Sequence, residues 1–423
     1  MLKKISLILL TVLVGLVIVS CNDTPPDENG NENPNPDEEL PKVTLNYTYN
    51  IHGNLVDIAV EQVELIDEHL LILGNVAENN FSVLKWRANL WTYGAYFTAV
   101  NQLYHVSNTE TNLARLQDAL DELDWYRSLN RTDDHLVYTS KGGEEIPPFY
   151  DDNVWIVIGL IKAYETTKDE TLLEKAEAVM DYIYGGWQDD EVGGILWREF
   201  DYNEETAKQY ELSFERNTCI NGPAAWASLL LYEITGESKY LSFGTKLYTW
   251  TKDKLYDKTT KTYSDNISQL GRVQTHKWTY NTGTMLSAAS ILYKLTKSDF
   301  YKNDVNDLME GSKNFIEPYS AVPNGEFYNM SNDSPWFRVY LVQGMLDAFR
   351  YVDYNYGERL EAVKVAMLYG YENVDSKGFL KADWSNRKAN EYGDKQKTLD
   401  VSGNIETISI LAEYEAILQE VAK

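Results

Sequence analysis

The stretch from Tyr150 to Ile161, Tyr-Asp-Asp-Asn-Val-Trp-Ile-Val-Ile-Gly-Leu-Ile, opens on two carboxylates and continues as a helix that is apolar on nearly every face. A helix with no side for water must be buried all round. Cys219 to Ile234, Tyr280 to Leu295 and Trp336 to Val352 share this character, whereas Leu172, Leu173, Ala176, Val179, Met180 and Ile183 form one stripe on an otherwise charged helix. The first kind predicts inner helices and the second outer ones. Periodicity predicts twelve helices in all, at 54–78, 82–105, 110–128, 151–167, 170–185, 219–235, 238–254, 280–296, 299–316, 335–353, 357–372 and 402–421. The phrase Tyr164-Glu-Thr-Thr-Lys168 returns as Tyr232-Glu-Ile-Thr-Gly236 and Tyr293-Lys-Leu-Thr-Lys297, at intervals of 68 and 61 residues. Each copy closes an inner helix and leads into an outer one, which suits helical hairpins stacked six times around a closed ring.

Loop lengths locate the working face. Inner-to-outer connections are short, while most outer-to-inner ones are long, at about 129–150, 186–218, 255–279, 317–334 and 373–401. The long loops therefore gather where the inner helices begin, the end that carries Asp151 and Asp152. Free carboxylates at the mouth of a core helix are costly unless something pairs or uses them. One reading makes one of them an N-cap for the first-turn amides. The other places both in one crevice, brought together by extended backbone at the cap to roughly 5 Å, the separation used in glycoside cleavage with retention. Helix dipole and free amides would keep one ionised, and its charge would raise the proton affinity of the other.

The ends and the charge narrow the setting. Met1-Leu2-Lys3-Lys4 and the apolar run from Ile5 to Val19 read as a secretory leader, 1–21, too short to prefer as a membrane span. Ile18-Val19-Ser20-Cys21 resembles the lipobox of bacterial lipoproteins, with Cys21 as the lipidated residue and a membrane-attached product. Residues 22–42 form a tether that is acidic and rich in proline and asparagine, leaving 43–423 as one catalytic-size domain. Acidic residues just after the cysteine are similar to the surface-export signal of Bacteroidetes lipoproteins, which implies the outer membrane and its exposed face. Cys21 belongs to the lipobox and Cys219 is left without a partner, so no internal disulfide is expected. The net charge of −27 argues against nucleic acid, anionic membrane surfaces and polyanionic substrates, and a neutral ligand fits better.

Two further acid pairs, Asp133-Asp134 and Asp189-Asp190, fall in polar glycine-containing loops and read as solvated. Trp187, Trp197, Trp278, Trp336 and Trp384 lie in or beside the long loops, as sugar platforms or as rings packed against the loop base. Asn217 and Asn221 can bond hydroxyls or cap their helix. The five histidines have no ligand spacing, and no phosphate loop, nucleophile elbow or dinucleotide fingerprint occurs. No metal or other cofactor is expected.

Taken together, Tyr150-Asp151-Asp152-Asn153 with Trp155, Gly193-Gly194-Ile195-Leu196-Trp197, Arg216-Asn217-Thr218-Cys219-Ile220-Asn221-Gly222-Pro223-Ala224-Ala225, Leu231-Tyr232 with Thr235-Gly236, and Trp278-Thr279-Tyr280-Asn281-Thr282-Gly283 are similar to phrases of the bacterial endo-α-1,6-mannanases of glycoside hydrolase family 76. The resemblance implies an all-α (α/α)6 barrel of six inner and six outer helices. It implies retaining hydrolysis of the α-1,6-linked backbone of mannan. A monomer is expected. It casts Asp151 as nucleophile and Asp152 as acid/base, with Trp197, Asn221, Tyr280 and Asn281 near the sugar. Tyr150, Asn153, Asn217, Trp278, Trp336 and Arg338 complete the candidates for substrate contact. The chain departs from the family in having Arg216 where Lys is frequent and Ser334 to Val342 in place of a Phe-Lys-Gly phrase. Two other readings remain open at this point: a surface glycan-binding protein that has lost turnover, and a barrel hydrolase or lyase for uronic-acid chains using Arg198, Arg216 or Arg338.

Overall fold

The computed structural model describes residues 54–81, 85–129, 131, 133, 135–143, 147–199, 214–322, 325–330, 333–385 and 395–421. The leader 1–21, Cys21 and the tether 22–42 lie outside the described residues, as does Asp134. Twelve α-helices are among those described: α1 (Leu55–His69), α2 (Leu90–Val106), α3 (Glu110–Leu123), α4 (Tyr150–Thr167), α5 (Glu170–Gly185), α6 (Thr218–Thr235), α7 (Ser238–Leu255), α8 (Thr279–Thr296), α9 (Asp299–Gly311), α10 (Pro335–Tyr351), α11 (Gly357–Tyr371) and α12 (Thr398–Val421). None is long and apolar enough to cross a membrane.

The even-numbered helices bury almost their whole length, and each packs on the next, with α12 returning to α2. The odd-numbered helices bury one stripe and lie outside, α1 against α12 and the others against the inner helix that precedes them. This is an (α/α)6 barrel. Its tightest inner crossing, α8 with α10, depends on two glycines. A Cβ on Gly283 would overlap the Tyr340 carbonyl, and one on Gly344 would overlap the carbonyl of Gly283.

The recurring Tyr-x-x-Thr phrase is a helix stop. Lys168, Gly236 and Lys297 adopt left-handed backbone at φ 62°, 71° and 52°, and their N–H groups bond the carbonyls of Tyr164, Tyr232 and Tyr293. Thr167, Thr235 and Thr296 donate back to the carbonyls of Ala163, Leu231 and Leu292, then accept from the amides of Asp169, Glu237 and Ser298. Three chemically matched turns thus send the chain from inner to outer layer in a few residues.

Several expected boundaries shift. The first helix ends at His69 rather than 78, because residues 71–76 turn back as a short hairpin with Leu73 at φ 50°. The second begins at Leu90 rather than 82, where the Asn89 side chain accepts from the Thr92 amide. The third and ninth close in 3₁₀ turns at 124–126 and 312–315, and the last starts four residues early, at Thr398. The long loops also hold short antiparallel strands that helical periodicity does not reveal. Among them are a three-stranded sheet of Arg216–Asn217, Asn266–Ile267 and Val273–Gln274, and a hairpin of Ile316–Val322 with Gly325–Met330.

Candidate active site

A cavity of about 520 Å³ opens at the end of the barrel where the inner helices begin. Asn89 and Trp91 reach it from the start of α2, Asp151, Asp152 and Trp155 from α4, Asn217 and Cys219 from the start of α6, Trp278 and Tyr280 from α8, and Trp336 and Phe337 from α10. Rings make much of its surface. Trp155 lies 5.2 Å from Trp336, Tyr280 stacks on Phe337 at 4.6 Å, and Phe149 lies 4.9 Å from Trp197.

The long loops are pinned to the helices by buried amides. Asn153 accepts from the Tyr138 amide at 2.9 Å and donates to the carbonyls of Tyr138 (2.9 Å) and Phe149 (2.7 Å). Asn221 repeats the arrangement one inner helix later, accepting from Ile195 N–H at 2.8 Å and donating to Ile195 and Asn217 carbonyls at 3.0 and 2.9 Å. With every amide group engaged by backbone and no exposure to the cavity, these two residues shape the site without facing a ligand. Gly193 and Gly194, at φ 72° and 87°, let Trp250 press against their loop, where a Cβ on Gly194 would overlap its ring.

Asp151 and Asp152 are the second and third residues of α4, within its first turn, and the extended residue before the helix is Phe149, which offers no side-chain cap. Of the two readings of the sequence, one makes an acid the N-cap and the other puts the pair on extended backbone at the cap. Instead both lie on helical backbone and neither is the N-cap. Asp151 Oδ1 accepts from the Asp152 amide at 3.0 Å; Oδ2 accepts from Trp197 Nε1 at 2.7 Å and from Cys219 Sγ at 3.5 Å. Asp152 has only a long contact from the Ser140 hydroxyl, at 3.5 Å.

Burial pushes the Asp151 carboxyl up to about 6, held back by its bonds from Trp197 and Cys219. Burial, and then the charge of Asp151, push Asp152 well above the ordinary carboxylate range. Loss of solvent therefore outweighs the favourable field of the helix start for both groups. The arrangement is an Asp151 carboxyl fixed by three donors, beside an Asp152 carboxyl of higher proton affinity.

The other candidates separate into two groups. Trp197, Asn217, Trp278, Tyr280 and Trp336 line the cavity with the Asp pair. Tyr150 stacks on Tyr182 behind it, and Asn281 is fully buried in α8. Arg338 is buried with its guanidinium 4.2 Å from the Trp384 ring and bonded to the Ala382 carbonyl, so it anchors a loop. Arg216 is buried against Asp190, whose other oxygen accepts from Val192 and Gly193 amides. Neither arginine reaches the cavity, which removes the basis for an anionic-chain reading through them. Trp187 sits away from it under Lys246, and Asp133 pairs with Arg131.

Sequence reasoning missed Glu215, Asp265 and Asn266, which line the cavity beside Asn217. The local signal was the short alternation Tyr263-Ser-Asp-Asn-Ile267, an acid between buried strand residues, hidden because the loop as a whole has no period.

A helical barrel with two adjacent carboxyls of unequal proton affinity in an aromatic cavity belongs to the glycosidase type of site. The family model for glycosyl hydrolase family 76 matches residues 69–405, and the chain belongs to that family. A mannan endo-1,6-alpha-mannosidase of Saccharomyces cerevisiae is 27% identical over 177 residues, 40% of this chain and 38% of that protein. The chain thus spans about two fifths of the length of this curated relative. A family 76 glycoside hydrolase from a bovine Bacteroides thetaiotaomicron strain superposes with a TM-score of 0.77 at 24% identity, covering 86% of this chain and 79% of that one. An inactive variant of the α-1,6-mannanase of Salegentibacter, with two consecutive aspartates replaced, is solved in complex with α-1,6-mannotetrose; it superposes at 0.68 with 21% identity over 85% of this chain and 99% of that one.

The clamp role predicts a difference between two neighbouring asparagines. Asn221→Ala strands the Ile195 amide in the core and should lower unfolding free energy by about 2–4 kcal/mol. Asn217→Ala, at a side-chain oxygen with no protein partner, should cost clearly less. Urea unfolding of the two variants measures this, and equal losses would refute the assignment.

Proposed function

We propose that the protein is an endo-acting retaining hydrolase of the α-1,6-mannosidic bonds of mannan. The observation that carries the reading is the unequal carboxyl pair, Asp151 held ionised by three donors and Asp152 pushed towards its protonated form. Family membership supports it, as does the mannotetrose complex of the Salegentibacter mannanase with two consecutive aspartates replaced.

In this mechanism Asp152 gives its proton to the glycosidic oxygen as the C1–O bond breaks, and Asp151 Oδ attacks C1 to form a glycosyl ester. Asp152, now a carboxylate, takes a proton from water. That water attacks C1, the ester bond breaks, and both acids return to their starting states. The consecutive positions of the acids, with the charge of one raising the proton affinity of the other, favour this route over one that seats water between more distant carboxyls. The open cleft and aromatic walls suit an internal stretch of chain. The lipid anchor at Cys21 and the tether 22–42 belong to the same proposal, placing the domain on the outer face of the outer membrane. Cys21→Ala should move the protein from the membrane to the soluble fraction, and an unchanged distribution would remove the anchor.

Purified residues 43–423 should release reducing ends from unbranched α-1,6-mannan. Asp151→Asn and Asp152→Asn should each lower kcat by at least about 10³-fold with the fold unchanged by circular dichroism; near-normal rates in both would end the assignment. Because Asp151 must be ionised, kcat/KM should fall as pH drops through about 6. Cys219→Ala removes a donor that holds Asp151 down, so its acid limb should move to higher pH.

A further inference from the structure

One wall of the cavity differs from the rest. Glu215, Asn217, Asp265 and Asn266 lie in or just before the first two strands of the three-stranded sheet and bring polar atoms to a cavity otherwise dominated by rings. Asn217 and Asn266 are 8% and 5% exposed, and the Oδ1 atom of each has no protein partner. Asn266 Nδ2 leans between the two acids, 3.5 Å from Glu215 Oε2 and 3.3 Å from Asp265 Oδ2. Burial raises the proton affinity of both carboxyls; the charge of Asp265 adds to this for Glu215, whereas His276 and bonds from Asn281, Trp278 and Asn266 work the other way on Asp265.

The wall is therefore rich in acceptors, and buried acceptors without partners favour a ligand that brings hydroxyl donors. Together with Asp151 and Asp152 it puts four carboxyl groups around the cavity, and none of the described lining residues is Lys, Arg or His. The basic groups nearest this wall offset that only at its rim, where His276 acts on Asp265. Lys277 is occupied by Asp257 at 3.2 Å and the Ser264 hydroxyl at 2.8 Å, and His276 stands at the exposed rim against Trp278.

We propose that Glu215, Asn217, Asp265 and Asn266 form a subsite that selects uncharged, hydroxyl-bearing sugar units and turns away units carrying phosphate or carboxylate. The proposal rests on the mannan-cleaving reading of the same cavity and adds which stretches of a mixed polymer it accepts: runs of neutral units, with phosphate-bearing ones left until another enzyme has removed the phosphate. A charged unit placed here would meet acceptors and acids with no Lys, Arg or His among the described lining residues, and like-charge contact in a partly desolvated site is a strong source of discrimination.

The test uses the Asp151→Asn/Asp152→Asn protein, which should bind without turnover, and calorimetric titration with α-1,6-mannotriose and with the same trisaccharide bearing a terminal 6-phosphate. The neutral ligand should bind at least about tenfold more tightly. Adding Glu215→Gln and Asp265→Asn, which keep shape and remove the acids, should narrow the gap to less than about threefold. Equal affinities in the first protein, or a gap unchanged in the second, would overturn the subsite and leave the mannan reading intact. Failure to bind either sugar, with no release of reducing ends by the parent protein, would overturn both.

Discussion

Two carboxyl groups taken out of water at the first turn of an apolar helix set the terms for the rest of this structure. An isolated buried carboxylate is disfavoured by several kcal/mol, so the position is tolerable only if charge is shared, bonded or neutralised. All three happen here. Trp197, Cys219 and the Asp152 amide bond the Asp151 carboxyl, and burial with the neighbouring charge pushes Asp152 towards its neutral form. The donors come from the long loop before α6, from α6 itself and from α4, so the electrostatic arrangement exists only when the barrel and its loops are assembled.

That dependence explains why so much of the molecule consists of anchors. Asn153 and Asn221 tie loops to helix starts, Gly283 and Gly344 let α8 and α10 meet backbone to backbone, and Gly194 admits the Trp250 ring against its loop. Arg216 and Arg338, the residues most easily mistaken for ligand contacts, are tied down inside the scaffold. The cavity is left with rings, acids and amides, a surface suited to flat neutral sugar faces and their hydroxyls.

The ring architecture was legible because inner and outer helices differ in the number of apolar faces, and because the Tyr-x-x-Thr phrase marks each inward-to-outward turn. Asp151, Asp152 and the cavity-lining rings at Trp197, Trp278, Tyr280 and Trp336 were also legible, since each falls at the start of an inner helix or in the loop before it. What escaped depends on pairing between distant segments. The strand that brings Asn266 beside Asn217 has two residues and no period, so Glu215 and Asp265 carry no mark of their position. The asparagines misled for a related reason: Asn153, Asn217 and Asn221 look alike in sequence, and only the loop packed over the helix decides which amide is consumed by backbone. The family phrases add recognition but not this distinction, because clamps and contacts lie within the same words.

The most direct test of the central claim, that adjacent acids at one helix mouth divide the roles of nucleophile and proton donor, is the anomeric configuration of the first product. Proton NMR during the opening minutes of α-1,6-mannan cleavage should show the α-anomer ahead of mutarotation, the result of two displacements at C1 through Asp151. Initial accumulation of the β-anomer would mean a single displacement by water and would contradict the account.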